Sequence, residues 1–547
     1  MVAKTFEGLE DVLREELIGL GAENVEIGNR MVSFEGDLAL LYKSNLCCRT
    51  ALRILKPIVM FRAESTDELY DYLRELEWEQ FMDPDTTFSV DATVNGEEFT
   101  HSKYVTYRVK DAIVDHFRDK DGKRPSIRLE GADLQFNVHI SGDRVTLSLD
   151  SSGAPLYKRG YRVEQTEAPI NEVLAAGIIL KTGWRGESDF LDPMCGSGTF
   201  LIEAALIAAN INPGIYRERF AFESWKDFDK DLFEEIYNDD SEEKEFLYKI
   251  FGGDISADAI AVSRKNIKSA RVEEMIELRC CPLTEWEAES SEGVIVTNPP
   301  YGERLKPGNL NNLYKELGST LKNNFQGWHA WIIGYQDDQM KEIGLKPSVK
   351  IPLYNGNLDC SLREYVMFDG SYSQFRADGG TVASEASEKR KSDGPRKVKH
   401  ISDDEWNKES RKFNKSHGIK ENKFHDGNKK DGNKKDFRRN LKRGDEGEWN
   451  LQERDFESRG NRRDDKFRSR KDQGSKHEER NFDRRRNEER GNYGERKRYE
   501  ERDKMKKRGF EGKGGPSTTY NPANSKGPRL PKESATELNP VHFRKRR

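Results

Sequence analysis

Apolar and polar residues follow two different patterns along the chain, and the first covers residues 1–154. Apolar positions recur at helical spacing over residues 8–19, 66–76 and 102–117, and Ser65 is a suitable N-cap for the second of these helices. Alternation at period two predicts short strands between the helices. Ser141-Gly142-Asp143 joins the last two strands as a hairpin. The predicted strands of this α+β module are residues 25–27, 31–34, 87–94, 134–140 and 144–149.

After Tyr161 the pattern changes to short apolar strands that alternate with helices. Such alternation predicts βαβ units, and therefore a parallel sheet with helices on both faces, the α/β class. A final antiparallel pair, residues 349–353 and 364–368, flanks Asn355-Gly356-Asn357. We find no internal repeats. The predicted strands of the parallel sheet are residues 189–192, 248–254, 275–280, 294–298 and 330–335.

Charge divides the chain of 547 residues into an acidic body and a basic tail. Residues 376–547 hold 51 Lys and Arg against 33 Asp and Glu, a net charge of +18, whereas residues 1–375 hold 42 and 65, a net charge of −23. Only 17 of the 172 tail residues are Leu, Ile, Val or Phe. Burial of so little apolar surface does not offset the conformational entropy of folding, so a disordered tail is expected.

Several classes of protein are disfavoured by the composition. There is no run of about 18 apolar residues, so no membrane span is expected. The first residues contain acids throughout, unlike a secretory signal. The six cysteines have neither a disulfide framework nor CxxC spacing, which argues against structural zinc or another metal site. A reduced, cytoplasmic protein is the expectation.

The segment LDPMCGSGTFLIEAA, residues 191–205, indicates a ligand-binding loop. An apolar strand ends at Asp192, a turn containing Gly196 and Gly198 follows, and a helix begins near Thr199. Glycines allow close approach of the backbone to a ligand, the N-terminus of a helix offers unpaired N–H groups, and ligands bind at the carboxyl ends of parallel strands. The alternative is an ordinary turn between a strand and a helix.

Asp254 ends the next predicted strand and is placed to accept both hydroxyls of a ribose. Asp is also a common helix N-cap, which is the structural alternative. A dinucleotide site fits poorly, because a third glycine is absent and Asp254 lies 56 residues beyond Gly198 rather than about 20.

A second loop, GVIVTNPPYGERL at residues 293–305, indicates chemistry on an amino group. A buried strand leads into Asn298-Pro299-Pro300-Tyr301, where two prolines stiffen the turn. The Asn298 amide oxygen and the Pro299 carbonyl can accept the two hydrogens of an exocyclic –NH2, while Tyr301 offers a stacking face. These acceptors favour a more nucleophilic nitrogen for methylation. The structural alternative is a rigid turn.

With these two loops the sequence resembles the THUMP-domain class I RNA methyltransferases, especially the N-terminal half of fused bacterial 23S rRNA guanine-N2 methyltransferases. The similarity covers roughly residues 1–370. Besides both loops it includes INPGIYRERFAFESW at 211–225, LYNGNLDCSL at 353–362 and the linker LYKRGYR at 156–162.

The resemblance implies S-adenosylmethionine as cofactor and guanine N2 of large-subunit rRNA, or of its precursor, as target. Asp192, Cys195, Gly196, Gly198, Thr199 and Asp254 then fall at cofactor positions, and Asn298, Pro299, Pro300 and Tyr301 at the catalytic motif. It implies a ferredoxin-like segment (1–42), a THUMP RNA-binding domain (43–154), a Rossmann-like methyltransferase domain (155–370) and the tail (371–547).

The sequence departs from the resemblance at two points. Arg279-Cys280-Cys281-Pro282 stands where the family often has an acid near the adenine, so no residue is assigned to that contact. The second methyltransferase half of the fused relatives is replaced by the tail, and no second methylation is expected.

RNA binding by an acidic body requires local basic groups. The candidates are Lys103, Arg108 and Lys110 on the predicted THUMP helix, and Lys158, Arg159 and Arg162 in the linker. The tail adds basic runs at residues 484–486 and 544–547, interspersed with Trp406, Phe424, Trp449, Phe467 and Tyr493. We expect it to raise RNA affinity without selecting the base, although a solubilising tail is the alternative.

Two other functions remain open at this stage. A THUMP methyltransferase that makes N2-methylguanosine in tRNA would share both loops. A non-catalytic RNA-binding or ribosome-assembly factor could keep the fold, although the intact loop residues argue against it.

Overall fold

Two seven-stranded sheets form the core of the protein in a computed structural model. The structure describes residues 1–301, 307–335, 337–356, 358–368, 370, 375, 377 and 402–419. All predicted strands and helices of both modules are present, with ends shifted by up to four residues, except that the last strand, predicted at 364–368, begins six residues earlier and spans Leu358–Val366. The α/β architecture predicted for the chain is confirmed.

The N-terminal sheet has the order β2-β3-β1-β4-β7-β6-β5, in which only the β5–β6 pair is parallel. Its strands are β1 (Val2–Lys4), β2 (Glu23–Gly28), β3 (Met31–Glu35), β4 (Arg53–Arg62), β5 (Phe88–Asn95), β6 (Leu134–Ser141) and β7 (Arg144–Asp150). Its helices are α1 (Glu10–Gly19), α2 (Leu38–Cys47), α3 (Thr66–Arg74) and α4 (Ser102–Asp121).

Strand β4 connects the two parts of this sheet. Its first residues pair with β1 at Arg53–Leu55, and from Leu55 to Arg62 it pairs with β7. The N-cap predicted for α3 is confirmed, because the Glu68 amide donates a 3.2 Å hydrogen bond to Oγ of Ser65.

The C-terminal sheet has the order β10-β9-β8-β11-β12-β14-β13, and β14 runs antiparallel to its neighbours. Its strands are β8 (Asp189–Asp192), β9 (Ile250–Asp254), β10 (Ile276–Cys280), β11 (Gly293–Thr297), β12 (His329–Gly334), β13 (Val349–Asn355) and β14 (Leu358–Val366). The helices of this part of the chain are α5 (Glu172–Thr182), α6 (Thr199–Ala208), α7 (Lys230–Asn238), α8 (Ala257–Ala270), α9 (Pro307–Asn324) and α10 (Asp337–Lys341). Of these, α7 packs on α2 of the N-terminal module. The strand order reverses between β8 and β11, where open α/β sheets bind ligands.

Buried arginines join the linker to the C-terminal domain. Arg159 is 2% exposed and forms an ion pair with Glu203 of α6, which also accepts a 2.8 Å hydrogen bond from the Tyr161 hydroxyl. Arg217 donates to the carbonyls of Ser152, Ala154, Pro155 and Lys158. The linker is therefore fixed by charge-assisted hydrogen bonds inside the protein.

A part of the tail is helical, contrary to the expectation for residues 402–419. Helix α11 (Asp403–Ser416) packs against β4, and its side chains hydrogen-bond to that strand instead of filling an apolar core. Its low content of Leu, Ile, Val and Phe gave no indication of such packing. The basic runs at residues 484–486 and 544–547, and Phe424, Trp449, Phe467 and Tyr493, lie outside the described residues. No helix in the described ranges is both long and apolar enough to cross a membrane.

Candidate active site

The residues predicted from the two loops meet at one cavity. Asp192 ends β8, Asp254 ends β9 and Asn298 follows β11, so the carboxyl ends of three strands carry them to the position where the strand order reverses. All three line a cavity of 890 Å³, together with Cys195 and Gly196. That volume is within the range of small-molecule and cofactor sites.

The glycine loop has the left-handed backbone that its sequence predicts. Gly196 has φ of +54° and Gly198 has φ of +79°. A Cβ atom on Gly198 would lie 3.1 Å from Oγ of Ser263. Gly198 is the N-cap of α6 and supplies no capping side chain, so among the described residues no side chain caps the amides in the first turn of this helix. Thr199, in that first turn, lines the cavity.

Asp254 is held in place by the backbone. The Gly196 amide donates to Oδ2 of Asp254 at 3.1 Å, and the Ser256 amide donates to Oδ1 at 2.9 Å. A carboxylate accepts about four hydrogen bonds, which leaves capacity for two ligand hydroxyls. The exposed side chain of Ile255 lies beside it and, with Leu283, gives the cavity an apolar wall.

Asp192 is buried, with two hydrogen bonds to its Oδ1. The Thr297 hydroxyl donates at 2.8 Å and the Met194 amide at 3.2 Å. Burial raises the pKa of Asp192 to about 7, and the negative charge of Asp254 acts in the same direction. The ionisation of Asp192 is therefore finely balanced at neutral pH.

Cys195 joins the loop to its neighbours. Its amide donates a 2.7 Å hydrogen bond to the Gly253 carbonyl, and its Sγ lies 3.7 Å from Oγ of Ser263. Burial raises the pKa of this thiol well above its ordinary value, so the side chain is neutral and a weak nucleophile.

Residues 165–170 form a cavity wall that the sequence did not indicate. Asn266 of α8 holds the preceding residue and the glycine loop together, because its Nδ2 donates to the carbonyls of Glu164 and Ser197. Ala168 has φ of +48°, an unusual conformation for a residue other than glycine. No local motif marks this wall, because long-range packing creates it.

Asn298 presents an unsatisfied acceptor at the cavity. Its Oδ1 is buried and has no hydrogen-bond partner among the residues that the structure describes. Unpaired buried oxygens are rare in folded proteins because each costs free energy, so the atom is suited to accept a hydrogen from a ligand. Pro300 also lines the cavity, whereas Pro299 is buried.

Tyr301 is more enclosed than a freely accessible stacking face would be. Its side chain is 7% exposed, its hydroxyl accepts a 2.5 Å hydrogen bond from Nδ2 of Asn355, and its ring lies 6.3 Å from that of Tyr335. Stacking of a base on Tyr301 stays a prediction.

Four of the six predicted RNA-binding residues are engaged inside the protein. Arg108 donates to Asp67 at 2.8 Å and lies over the Tyr70 ring, and Lys110 is buried. Arg159 is buried in its ion pair with Glu203, so its charge is not presented to RNA.

Arg162 has contacts near the cofactor loop. It donates to Glu172 at 2.7 Å and to the Thr199 hydroxyl at 2.8 Å, and thereby links α5 to the first turn of α6. It therefore braces the cavity. Of the six candidates, Lys103 and Lys158 are exposed.

Two exposed aromatic residues accompany Lys103. Tyr104 is 53% exposed and Tyr107 is 60% exposed, one helical turn apart on α4. In the sequence KYVTYRVK, aromatic and basic residues alternate. The prediction of RNA-binding residues considered positive charge alone and therefore left out the two tyrosines. Within the described part of the chain, no group of His, Cys, Asp and Glu is arranged to hold a metal ion.

Comparisons with known proteins match three regions between residues 1 and 364. Family models match residues 1–55 (RlmL ferredoxin-like domain), 63–150 (THUMP domain) and 159–364 (RMKL-like, methyltransferase domain). A putative RNA methyltransferase of Synechocystis sp. is 36% identical over 369 residues, which cover 67% of this chain and 96% of that protein.

Two further relatives extend the comparison. A ribosomal RNA large subunit methyltransferase K/L of Syntrophotalea carbinolica is 39% identical over 373 residues, 66% of this chain and 52% of that protein, so this chain spans about half of its length. The crystal structure of a putative methyltransferase complexed with SAH superposes with a TM-score of 0.61 at 32% identity, over 68% of this chain and 98% of that chain.

The strand order, the glycine loop and its cavity, and a solved relative that holds SAH define the class as S-adenosylmethionine-dependent methyltransferases. The cofactor predicted from the sequence is thus confirmed. Within that class, the chain belongs to the family of THUMP-domain proteins with an RMKL-like methyltransferase domain.

Proposed function

We propose that this protein methylates the exocyclic N2 amine of a guanosine in large-subunit ribosomal RNA, with S-adenosylmethionine as donor. The observation that carries the proposal is the buried Oδ1 of Asn298 on the wall of the cavity, which has no hydrogen-bond partner in the described part of the chain. An amide oxygen in that position can accept a hydrogen bond from the N–H of an amine.

The residues of the cavity suit the cofactor. The carboxylate of Asp254, oriented by two backbone amides, would hold the ribose hydroxyls, and Ile255 and Leu283 would offer apolar surface to the adenine. The loop from Gly196 to Thr199 lets the ligand approach the backbone closely. Bound there, the cofactor would supply a methyl group on a sulfonium, and its sulfur would leave as a neutral thioether when the methyl is transferred.

Asn298 acts on the other reactant. The guanine amine is a weak nucleophile because its lone pair is delocalised into the ring. When Oδ1 of Asn298 accepts one of its hydrogens and the Pro299 carbonyl accepts the other, the nitrogen is oriented and becomes more nucleophilic. The proton of the methylated amine can leave to water, so no side chain of the cavity has to act as a strong base.

RNA is the substrate class that the N-terminal module favours. Lys103, Tyr104 and Tyr107 present a cation and two aromatic faces on one end of α4, which is a surface for phosphates and unpaired bases. The relatives named ribosomal RNA large subunit methyltransferase K/L support ribosomal RNA in particular.

A methyl-transfer assay with nucleoside analysis tests the proposal. Purified protein and labelled S-adenosylmethionine are incubated with unmodified large-subunit rRNA, with its precursor particle, and with tRNA transcripts. We expect label in N2-methylguanosine from the rRNA or the particle, and none with the Asn298→Ala variant. Label in tRNA alone would overturn the substrate, and label in an adenosine would overturn the target base.

A further inference from the structure

Helix α11 covers an open edge of the N-terminal sheet. Strand β4 pairs with β1 only as far as Leu55, and among the described residues no strand pairs with that edge beyond it. At Met60, the side-chain amide of Asn414 takes the place of a strand: its Nδ2 donates to the Met60 carbonyl at 2.6 Å, and its Oδ1 accepts from the Met60 amide at 3.1 Å. An exposed strand edge binds such a partner readily.

A second set of contacts holds the first turn of α11. Trp406 is 7% exposed and lies 5.4 Å from the Arg62 guanidinium and 5.7 Å from that of Arg144. The Asp403 carboxylate accepts hydrogen bonds from the same two arginines, at 2.7 and 2.8 Å. Cation–π contacts and charge-assisted hydrogen bonds together make this a specific docking site for one helix.

The C-terminal end of α11 points the chain toward the helices of the RNA-binding module. Ile419 packs on the apolar core of this module and lines a small cavity with Tyr72, at the end of α3, and Leu76. Helix α3 in turn packs on α4, where the Tyr70 hydroxyl donates to Asp115 at 2.6 Å. The chain therefore leaves the described structure beside the C-terminal end of α3 and the neighbouring C-terminal half of α4, whereas Lys103 and Tyr104 lie at the opposite end of α4.

Residues 420–547 follow directly and contain 40 Lys and Arg against 25 Asp and Glu. We propose that α11 is an intramolecular anchor that fixes the start of this basic segment beside the RNA-binding module, so that the segment and the module engage one RNA together. The inference rests on the proposed function only in taking RNA as the substrate class.

The physical gain from an anchor is a higher local concentration of cations at the bound RNA. Without docking, the basic segment stays connected only through the chain beyond residue 368, which adds about 50 residues to the tether. Effective concentration falls roughly as the −3/2 power of tether length, so undocking costs about threefold to tenfold in affinity. If α11 instead masked Arg62 and Arg144 from RNA, undocking would increase the affinity for RNA.

The test uses the full chain with Trp406→Ala, and separately with Asp403→Arg, which sets a like charge against Arg62 and Arg144; both variants keep Asn414, the acceptor of the Met60 amide. Lys408→Ala, on the exposed face of α11, is the matched control. Hydrogen exchange at the Met60 amide reports docking. Binding to a non-specific single-stranded RNA, measured without cofactor, reports function independently of which nucleotide is methylated.

We expect faster exchange at Met60 and a Kd for RNA raised about threefold to tenfold in both variants, with the control unchanged. The same substitutions in a chain that ends at Ile419, which keeps every described element, should leave the Kd unaltered. Protection at Met60 that persists in both variants would overturn the docking, and an unchanged or lowered Kd after undocking would overturn the anchor. A protein that shows this coupling but methylates no ribosomal RNA would refute the proposed function and leave the anchor standing.

Discussion

The Thr297 hydroxyl donates a 2.8 Å hydrogen bond to Oδ1 of Asp192, which joins the carboxyl end of β11 to that of β8. The next residue after Thr297 is Asn298. The glycine loop and the loop of Asn298, which we propose bind the cofactor and the amine, therefore share one buried hydrogen bond, and a change in the charge of Asp192 acts on both.

The stability of the ligand-free protein should reflect the buried carboxyl of Asp192. Because its pKa is raised from 3.8 to about 7, the folded protein binds this proton more tightly than the unfolded chain does. The stabilisation from this group is fully present below pH 3.8 and is lost as the pH rises through 7. The difference in unfolding free energy between Asp192→Asn and the parent should therefore shift in favour of the variant as the pH rises from 5 to 8, measured by urea unfolding. A constant difference across that range would contradict the assignment.

The affinity for the cofactor should also depend on the ionisation of Asp192, but it should rise with pH, whereas the stability falls. The positively charged sulfonium of the cofactor favours ionised Asp192, so the Kd for S-adenosylmethionine should fall by about 10-fold between pH 6 and pH 8. Calorimetric titration across this range measures the effect. In Asp192→Asn the affinity should be lower and nearly independent of pH, and a retained pH slope would assign the titration to another group.

Gly198→Ala should weaken cofactor binding through the backbone. A left-handed φ of +79° disfavours alanine, and the new Cβ would lie 3.1 Å from Oγ of Ser263, so we expect a loss of about 1–3 kcal/mol in stability. Gly183→Ala is the matched control, because Gly183 has φ of +90° and open space around it at the end of α5. Both variants should be destabilised in thermal unfolding, and only Gly198→Ala should lose affinity for the cofactor.

Asn298→Ala should reduce kcat and leave the cofactor Kd unchanged. Removal of one preorganised polar group of this kind lowers turnover by about 10²–10³-fold. Asn238→Ala, at the exposed end of α7, makes the same substitution outside the cavity and should retain full activity. Equal losses in both variants, or a large rise in the cofactor Kd for Asn298→Ala, would show that Asn298 acts on folding or cofactor binding.

Two adjacent linker residues should separate stability from RNA binding. Arg159→Ala leaves Glu203 buried without its partner and should cost about 3–5 kcal/mol in urea unfolding. Lys158→Ala changes an exposed cation, so stability should stay within about 0.5 kcal/mol, while RNA affinity falls and its salt dependence becomes shallower. If Arg159→Ala instead lowered the affinity for RNA and left the stability unchanged, Arg159 would belong to the RNA interface.

The sequence predicted the parts of the site that depend on local structure. Asp192, Asp254 and Asn298 each end or follow a strand of one parallel sheet, and the carboxyl ends of parallel strands meet at one edge. Asp192 and Asn298 lie on the two strands that flank the reversal in strand order, so recognition of the strands was sufficient to bring the loops together.

The elements that were missed depend on long-range packing. Strand β4 contains Pro57, and its pairing with β7 shifts register between Pro57 and Val59, which disrupts the period-two alternation that marks strands. The docking of α11 uses Asn414, Trp406 and Asp403 on a strand edge more than 300 residues away in sequence. Arg159 and Arg162 appeared as free charges because their partners lie on distant helices.

The continuity of β4 determines how the protein can be divided. Residues Arg53–Leu55 of this strand pair with β1 and residues from Leu55 to Arg62 pair with β7, so one strand belongs to both the region matched as ferredoxin-like and the region adjoining the THUMP match. A fragment that begins after Arg62 would lack β4, the strand that pairs with β7. The unpaired edge of β7 would then be exposed and prone to aggregation. Transplanting the RNA-binding half into another enzyme therefore requires the whole of residues 1–150, with α11 supplied to close the edge.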